Sequence, residues 1–346
     1  MRKNFRCGVV GCGSIARSSH LPILKRTEGV DVVAVCDQSA SSAKLLAKAF
    51  KIPNIYEDFS SMLENEELDF VSICSPPHTH CEFTMLSTQK GLHVLLEKPM
   101  ALDTSEADKM LLSVKENNVK LCVVHNFLYN PAVQKALSLV ASGQIGRILY
   151  VDIKILEKPT GPLSNPDHYC HRMRGGRIGD LVEHPVYLII KLLGKVGSVK
   201  AVAKKLSHFP WVERDEISVL LEAQKGIGSF HISCNADSFS HAMEIRGTRK
   251  SIFVNNFFMT MVSHAHAGSV RLRDFAVANV SLAAQLIGTS LVGTLRGKFG
   301  HRWYRDGHRR IIADFVRSIG NDTDPPGSAQ DSRECLKVFE EAWSQV

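Results

Sequence analysis

Along the first 125 residues, short runs rich in β-branched and apolar side chains alternate with longer stretches whose apolar positions recur at helical spacing. Phe5–Val10, Asp31–Cys36, Phe70–Cys74, Leu92–Leu96 and Val119–Val124 read as strands, and the segments at about 15–30, 39–50, 58–66, 78–90 and 103–117 as helices. Strands that alternate with helices form a parallel sheet covered on both faces. At about residue 126 the pattern changes. A helix at 131–142 is followed by strand-like runs at Arg147–Leu156, Val199–Lys205, Ile217–Glu222, Gly228–Ser233, Ala242–Arg246 and Ser251–Val254, with turn signals at Lys225-Gly226 and Gly247-Thr248. Consecutive strands with short turns predict a large, mostly antiparallel open sheet, and helical patterns at 308–319 and 331–343 close the chain. The expected architecture is α/β: a doubly wound parallel-sheet domain over 1–125 and a second α/β domain over 126–346.

Composition narrows this picture without redrawing it. With 346 residues, 44% apolar and 22% charged, the chain fits two ordinary domains and excludes a largely disordered protein. Nine cysteines, at 7, 12, 36, 74, 81, 122, 170, 234 and 335, form no C-x-x-C pair, which argues against a disulfide scaffold or a zinc module. A reducing cytoplasm is the expected compartment. After Arg2 and Lys3 the only apolar stretch before the glycines is Val9-Val10, so no secretory leader is expected, and no run reaches the length of a membrane span.

The first strand runs directly into Gly11-Cys12-Gly13-Ser14-Ile15-Ala16 at the start of a helical segment. In a dinucleotide (Rossmann) fold, the first glycine makes the tight turn and the second lets backbone approach the pyrophosphate. The third small residue, here Ala16, lets helix and strand pack closely. Amides at the helix start would hold the phosphates. Asp37 ends the next strand, 24 residues beyond Gly13, where its carboxylate would accept from the adenosine ribose. Asp37 and the uncharged Gln38 favour NAD, while Arg17 leaves NADP open.

The fourth strand ends in Ser75-Pro76-Pro77-His78-Thr79-His80 and the fifth in Glu97-Lys98-Pro99, at the carboxyl ends that face the ligand crevice of such a sheet. Taken alone, Glu97 and Lys98 also fit a surface ion pair before a turn proline. G-x-G-x-x-A, then Ser-Pro-Pro-x-x-His, then Gly-Leu-His-Val-Leu-Leu-Glu-Lys-Pro resembles the glucose-fructose oxidoreductase, inositol dehydrogenase and rhizopine-catabolism (Gfo/Idh/MocA) family. Gly146-Arg147, Gly247-Thr248 and Pro325-Pro326 extend the resemblance over nearly the whole chain. It implies NAD(P)-dependent oxidation of a sugar or cyclitol hydroxyl, or the reverse reaction, and an open sheet that often mediates oligomerisation. It also implies that Gly11, Gly13, Ser14, Ile15, Asp37, Ser75, Pro76, His80, Glu97 and Lys98 line the cofactor, with Lys98 reaching the substrate oxygen.

Gly175-Gly176-Arg177-Ile178-Gly179-Asp180-Leu181-Val182-Glu183-His184 resembles the family's catalytic segment. Asp180 and His184 are four apart and share a helical face. Histidine suits the base that hydride transfer requires, because its ordinary pKa lies near neutrality. Three departures stand out: Val182 in place of a usual glycine, Pro185 directly after the histidine, and Tyr187 in place of a frequent aspartate. Pro185 predicts a kink or a later helix start. Asn126, His168, Arg172 and Arg174 are the further substrate-side candidates, the arginines reading equally as solvated loop charges. His264-Ala-His266 lacks a third ligand nearby, so no metal site is expected.

The expected activity is a hydride transfer between nicotinamide and a secondary hydroxyl of a sugar, a sugar derivative such as a nucleotide sugar, or a cyclitol. A redox-neutral enzyme with retained NAD (epimerase, lyase or glycosidase type) and a non-catalytic sugar or dinucleotide sensor are the alternatives. The formal net charge is +7, and six basic residues against one acid between Arg296 and Arg310 supply most of it. This segment follows the moderately apolar Ser281–Leu295. It reads as an insertion helix in the second domain or at a subunit interface, with anionic lipid or a phosphorylated substrate as the alternative use of 281–310. Nucleic acid is not an expected partner; a homodimer or homotetramer is.

Overall fold

A computed structural model describes residues 4–257, 259–266, 271–298 and 304–346. In chain order it begins with β1 (Phe5–Val10), a π-helical turn (Ala16–His20) leading into α1 (Leu21–Leu24), β2 (Val30–Cys36), α2 (Ala40–Phe50), β3 (Asn54–Tyr56) and α3 (Phe59–Asn65). Next come β4 (Phe70–Ile73), α4 (His80–Gln89), β5 (His93–Leu96), α5 (Thr104–Glu116), β6 (Leu121–Val123) and α6 (Pro131–Ala141). Then follow β7 (Ile148–Leu156), α7 (Gly176–Leu181), α8 (Glu183–Leu193), β8 (Val196–Lys204), β9 (Glu216–Ala223) and β10 (Gly226–Ser233). The last elements are β11 (Ser240–Gly247), β12 (Lys250–Asn255), β13 (Thr260–Ala265), α9 (Leu272–Lys298), α10 (Tyr304–Asn321) and α11 (Ala329–Trp343).

The chain divides into two units, residues 1–126 with 308–337, and 127–307 with 338–346. The return of 308–337 to the first unit departs from the single boundary expected after residue 125. Its reason lies in packing: Phe315 on α10 meets Phe70 of β4 edge-on at 5.7 Å, and Leu336 on α11 joins the core of the first sheet.

In the first unit six parallel strands are ordered β3-β2-β1-β4-β5-β6. This is the doubly wound order, with its switch point between β1 and β4. The strands are Val-, Ile- and Leu-rich because both faces are covered, and α2, α3 and α5 start on side-chain caps. Asp58 accepts from Ser61 N at 2.7 Å to open α3, and Asp103 from Glu106 N at 2.8 Å to open α5. Helix 15–30 of the sequence reading is shorter in the structure, and the three-residue β3 was not anticipated.

In the second unit seven strands are ordered β13-β12-β11-β7-β10-β9-β8, antiparallel except for the β7–β10 pair. Strand β13 extends the sheet beyond the strands read from the sequence. At that margin Gln285 of α9 pairs with Ser263 of β13, accepting from its N–H at 3.1 Å and donating to its C=O at 2.9 Å. At the other margin Gln345 accepts from Ala201 N at 3.2 Å and donates to Val199 O at 3.0 Å.

The apolar 281–295 stretch lies within α9, a helix of 27 residues, with Val277, Val280, Ile287 and Leu291 exposed. Of the basic segment, Arg302 lies outside the described residues. No helix among the described residues is long and apolar enough to cross a membrane. All nine cysteines are free, eight of them buried, in keeping with small core hydrophobes.

Candidate functional site

In the first unit the site begins where β1 stops. Gly11 turns the chain with φ +89°, and a Cβ there would lie 2.4 Å from Ser75 N, so only glycine lets this turn pass over the end of β4. At Gly13 the opposite holds: a Cβ would meet nothing within 4 Å, leaving the backbone open to a ligand. Gly13 and Ser14 are exposed and Ile15 half-buried, and the first helical hydrogen bond runs from Arg17 N to Gly13 O. Amides at the start of the helix, at Gly13 and Ser14, therefore lie at the exposed side of the turn. Asp37 Oδ2 accepts from Cys12 N at 2.7 Å and Oδ1 from Ser39 N at 2.8 Å. The carboxylate thus braces the glycine turn and keeps further lone pairs for a ligand hydroxyl. This open cradle fits a dinucleotide.

Ser75 hydrogen bonds Thr79 through its hydroxyl at 2.6 Å, and Pro76 precedes a 3₁₀ turn over Pro77–Thr79. His80 is fully buried, its Nε2 2.9 Å from Ser75 O and its Nδ1 2.8 Å from Pro99 O. It ties the end of β4 to the segment after β5 instead of presenting its ring to a ligand. Lys98 is half-buried and precedes a cis peptide to Pro99. Glu97 is buried; its Oε2 accepts from Lys98 N at 3.2 Å and its Oε1 lies 2.7 Å from His20 Nε2 and 3.4 Å from His308 Nε2. Burial by itself would raise the Glu97 pKa, but hydrogen bonds and charge from His20 and His308 hold it well below the usual carboxylate range. His20, Glu97 and His308 bring three ligand-type atoms within 4.8 Å of one another, a grouping not picked out from the sequence.

In the second unit α7 opens on Gly175, and Gly179 lets the helix start against Arg174 O, where a Cβ would come within 2.2 Å. The helix ends at Leu181, and α8 begins at Glu183 after a break at Val182. Pro185 therefore stands in the first turn of a new helix, where its missing N–H is tolerated. The later start expected from the proline is present.

Asp180 is buried, with Oδ2 hydrogen bonded to Arg177 and Oδ1 accepting from Tyr169 Oη at 3.3 Å. Arg177 also grips Glu157 with two contacts, at 2.9 and 2.8 Å. Burial opposes the guanidinium charge, but Asp180 and Glu157 outweigh it and hold the Arg177 pKa above its ordinary value. His184 is 8% exposed and stacks on Phe127 at 4.3 Å. Its Nδ1 lies 2.8 Å from Tyr187 Oη, which accepts from Phe127 N at 3.2 Å. His241 meets the same Phe127 ring edge-on at 5.1 Å, and burial, with the Arg177 charge, pushes its pKa down to about 4.

The remaining candidates are placed unequally. His168 caps the 3₁₀ turn Tyr169–Arg172 by accepting from Cys170 N at 3.3 Å, and burial lowers its pKa. Arg172 and Arg174 are exposed, and Asn126 is buried after β6. Glu157, Arg177, Phe127 and His241 were not picked out from the sequence, and Tyr187 was noted there only as a departure.

Residues 5–125 match the family model described as "Oxidoreductase family, NAD-binding Rossmann fold", and residues 133–253 match the "GFO/IDH/MocA C-terminal domain". The chain belongs to the Gfo/Idh/MocA oxidoreductase family. Among curated relatives, D-apiose dehydrogenase of Paraburkholderia graminis is 27% identical over 66% of this chain and 60% of its own. The dTDP-3,4-didehydro-2,6-dideoxy-alpha-D-glucose 3-reductase of Actinomadura kijaniata is 25% identical over 92% of this chain and 96% of its own. The WlbA dehydrogenase of Bordetella pertussis, solved with NADH and UDP-GlcNAcA, shares the fold with a TM-score of 0.82 at 19% identity, covering 100% of this chain and 96% of that one.

Proposed function

We propose that this Gfo/Idh/MocA chain is an NAD-dependent dehydrogenase acting on a secondary hydroxyl of a free or nucleotide-linked sugar. The observation that carries it is His184, nearly buried, stacked on Phe127 and fixed through Nδ1 to Tyr187. With Nδ1–H donating to the Tyr187 oxygen, Nε2 offers a lone pair to a substrate hydroxyl proton. Gly11, Gly13, Ser14, Ile15, Asp37, Ser75 and Pro76 would hold the dinucleotide. When bound, its nicotinamide supplies the hydride acceptor. In the oxidation the alcohol carbon loses a hydride, its oxygen loses a proton to His184, and a carbonyl forms. The Lys98 ammonium stabilises alkoxide character on that oxygen. Asp180, hydrogen bonded to Arg177 and Tyr169, would meet a neighbouring substrate hydroxyl. Asn126, His168, Arg172 and Arg174 would contact the rest of the substrate, the arginines suiting a carboxylate or diphosphate.

A screen of free sugars, sugar acids, cyclitols and nucleotide sugars for NAD(P)-linked turnover tests this reading. Lys98→Ala and His184→Ala should each lower kcat by about 10²- to 10⁴-fold. Absence of NAD(H) and NADP(H) binding, or undiminished turnover in both variants, would overturn it.

A further inference from the structure

Three residues far apart in the chain meet in the first unit: His20 at the end of the π-helical turn, Glu97 after β5, and His308 in α10. All three side chains are buried. His20 is held from both ends, Nδ1 by Ser72 Oγ at 2.7 Å and Nε2 by Glu97 Oε1 at 2.7 Å. His308 approaches the same oxygen at 3.4 Å, and the two rings lie edge-on with centroids 6.0 Å apart. The other oxygen of Glu97 takes the backbone N–H of Lys98 at 3.2 Å.

We propose that His20 and His308 are positioning residues for Lys98, acting through Glu97. The carboxylate has two oxygens with separate tasks: Oε1 is pinned by the imidazoles from two other elements, and Oε2 holds the first peptide unit beyond β5. That peptide carries the Lys98 side chain, so whatever fixes the rotation of the carboxylate fixes where the ammonium starts from. With one imidazole removed, Oε1 is held from one side only and the carboxylate turns away from the Lys98 amide. A Ser72–His20 contact of 2.7 Å and a His20–Glu97 contact of 2.7 Å are hydrogen-bond lengths, with Nε2–H donating to the carboxylate. The same donor set, two imidazoles and a carboxylate, is also that of divalent transition-metal sites, so the test must separate a hydrogen-bonded network from coordination.

The proposal rests on the assignment of Lys98 to the substrate oxygen. The test compares wild-type enzyme, Lys98→Ala, His308→Leu and His308→Gln, the glutamine amide supplying a donor where the imidazole stood. His308→Leu is expected to lower kcat at least tenfold, with KM and the Kd for NADH within threefold and the melting temperature within a few degrees. It is also expected to speed amide hydrogen exchange at Lys98 at least tenfold. His308→Gln should recover at least half of the lost kcat and the slow exchange. Wild-type kcat and exchange in His308→Leu would overturn the proposal, as would a parallel loss of NADH binding and melting temperature in both His308 variants. Stoichiometric metal in the purified wild type, lost in His308→Leu, would replace it with a coordination site. Full turnover in Lys98→Ala would instead remove the assignment of Lys98, and the exchange measurement reads the Glu97 contact independently of turnover.

Discussion

The hydroxyl of Tyr187 stands between a backbone amide and the Nδ1 of His184, and in the proposed reaction it would determine which ring nitrogen faces the substrate. Tyr187→Phe keeps the ring and removes one hydrogen bond from each neighbour, a loss of about 1 kcal/mol per bond. We expect a kcat reduced about tenfold, equivalent to about 1.4 kcal/mol in the barrier, with KM changed less. Steady-state kinetics of the variant check this, and an unchanged kcat would mean that His184 does not depend on this hydrogen bond for its orientation. The sequence showed Tyr187 only as an unusual residue in a familiar motif. Its partner Phe127 lies 60 positions earlier, and nothing in periodicity links the two. The meeting of His20, Glu97 and His308 was hidden for the same reason: Glu97 stood out only within Glu-Lys-Pro, the two histidines had an ordinary local context, and their approach depends on tertiary contacts.

Elements were legible where local chemistry and fold agree. The β1 turn, the alternation of strands and helices and the break before Pro185 all follow from residues within a few positions of one another. Two glycines in one turn allow the claim to be tested by contrast. Gly11→Ala puts a Cβ 2.4 Å from Ser75 N at φ +89°, which should destabilise the first unit by about 1–3 kcal/mol. Gly13→Ala meets nothing within 4 Å, so it should fold normally while NADH affinity falls because the methyl occupies the cradle. Thermal unfolding and NADH titration of the two variants distinguish them; equal stability would refute the steric account of Gly11. What the pattern missed were elements whose signal is short or polar. Strand β3 has three residues, and β13 contains Thr260, Ser263 and His264 among its six. The membership of 308–337 in the first unit was unreadable because an amphipathic helix announces a buried face without naming its partner.

For the whole molecule, the acid side of the stability curve carries a signature of His241. Its folded pKa of about 4 lies below the ordinary histidine value, so between these limits the unfolded chain binds the proton first. Stability is therefore fully present above about pH 6.5 and falls as pH drops towards 4, by about 3 kcal/mol in total. Denaturant unfolding of wild type and His241→Phe at pH 7, 5.5 and 4.5 should show a shallower decline in the variant; identical slopes would rule out this linkage. The net charge of +7, by contrast, pointed to one basic segment and said little about the fold. The seven-stranded sheet has its own whole-molecule property in Gln345 and Gln285, each of which offers a strand margin one acceptor and one donor, as a peptide unit would. Each amide impersonates a fragment of an eighth strand. A stray β-segment seeking to prolong the ladder must first evict a glutamine, so two ordinary side chains work as chain terminators against edge-to-edge aggregation.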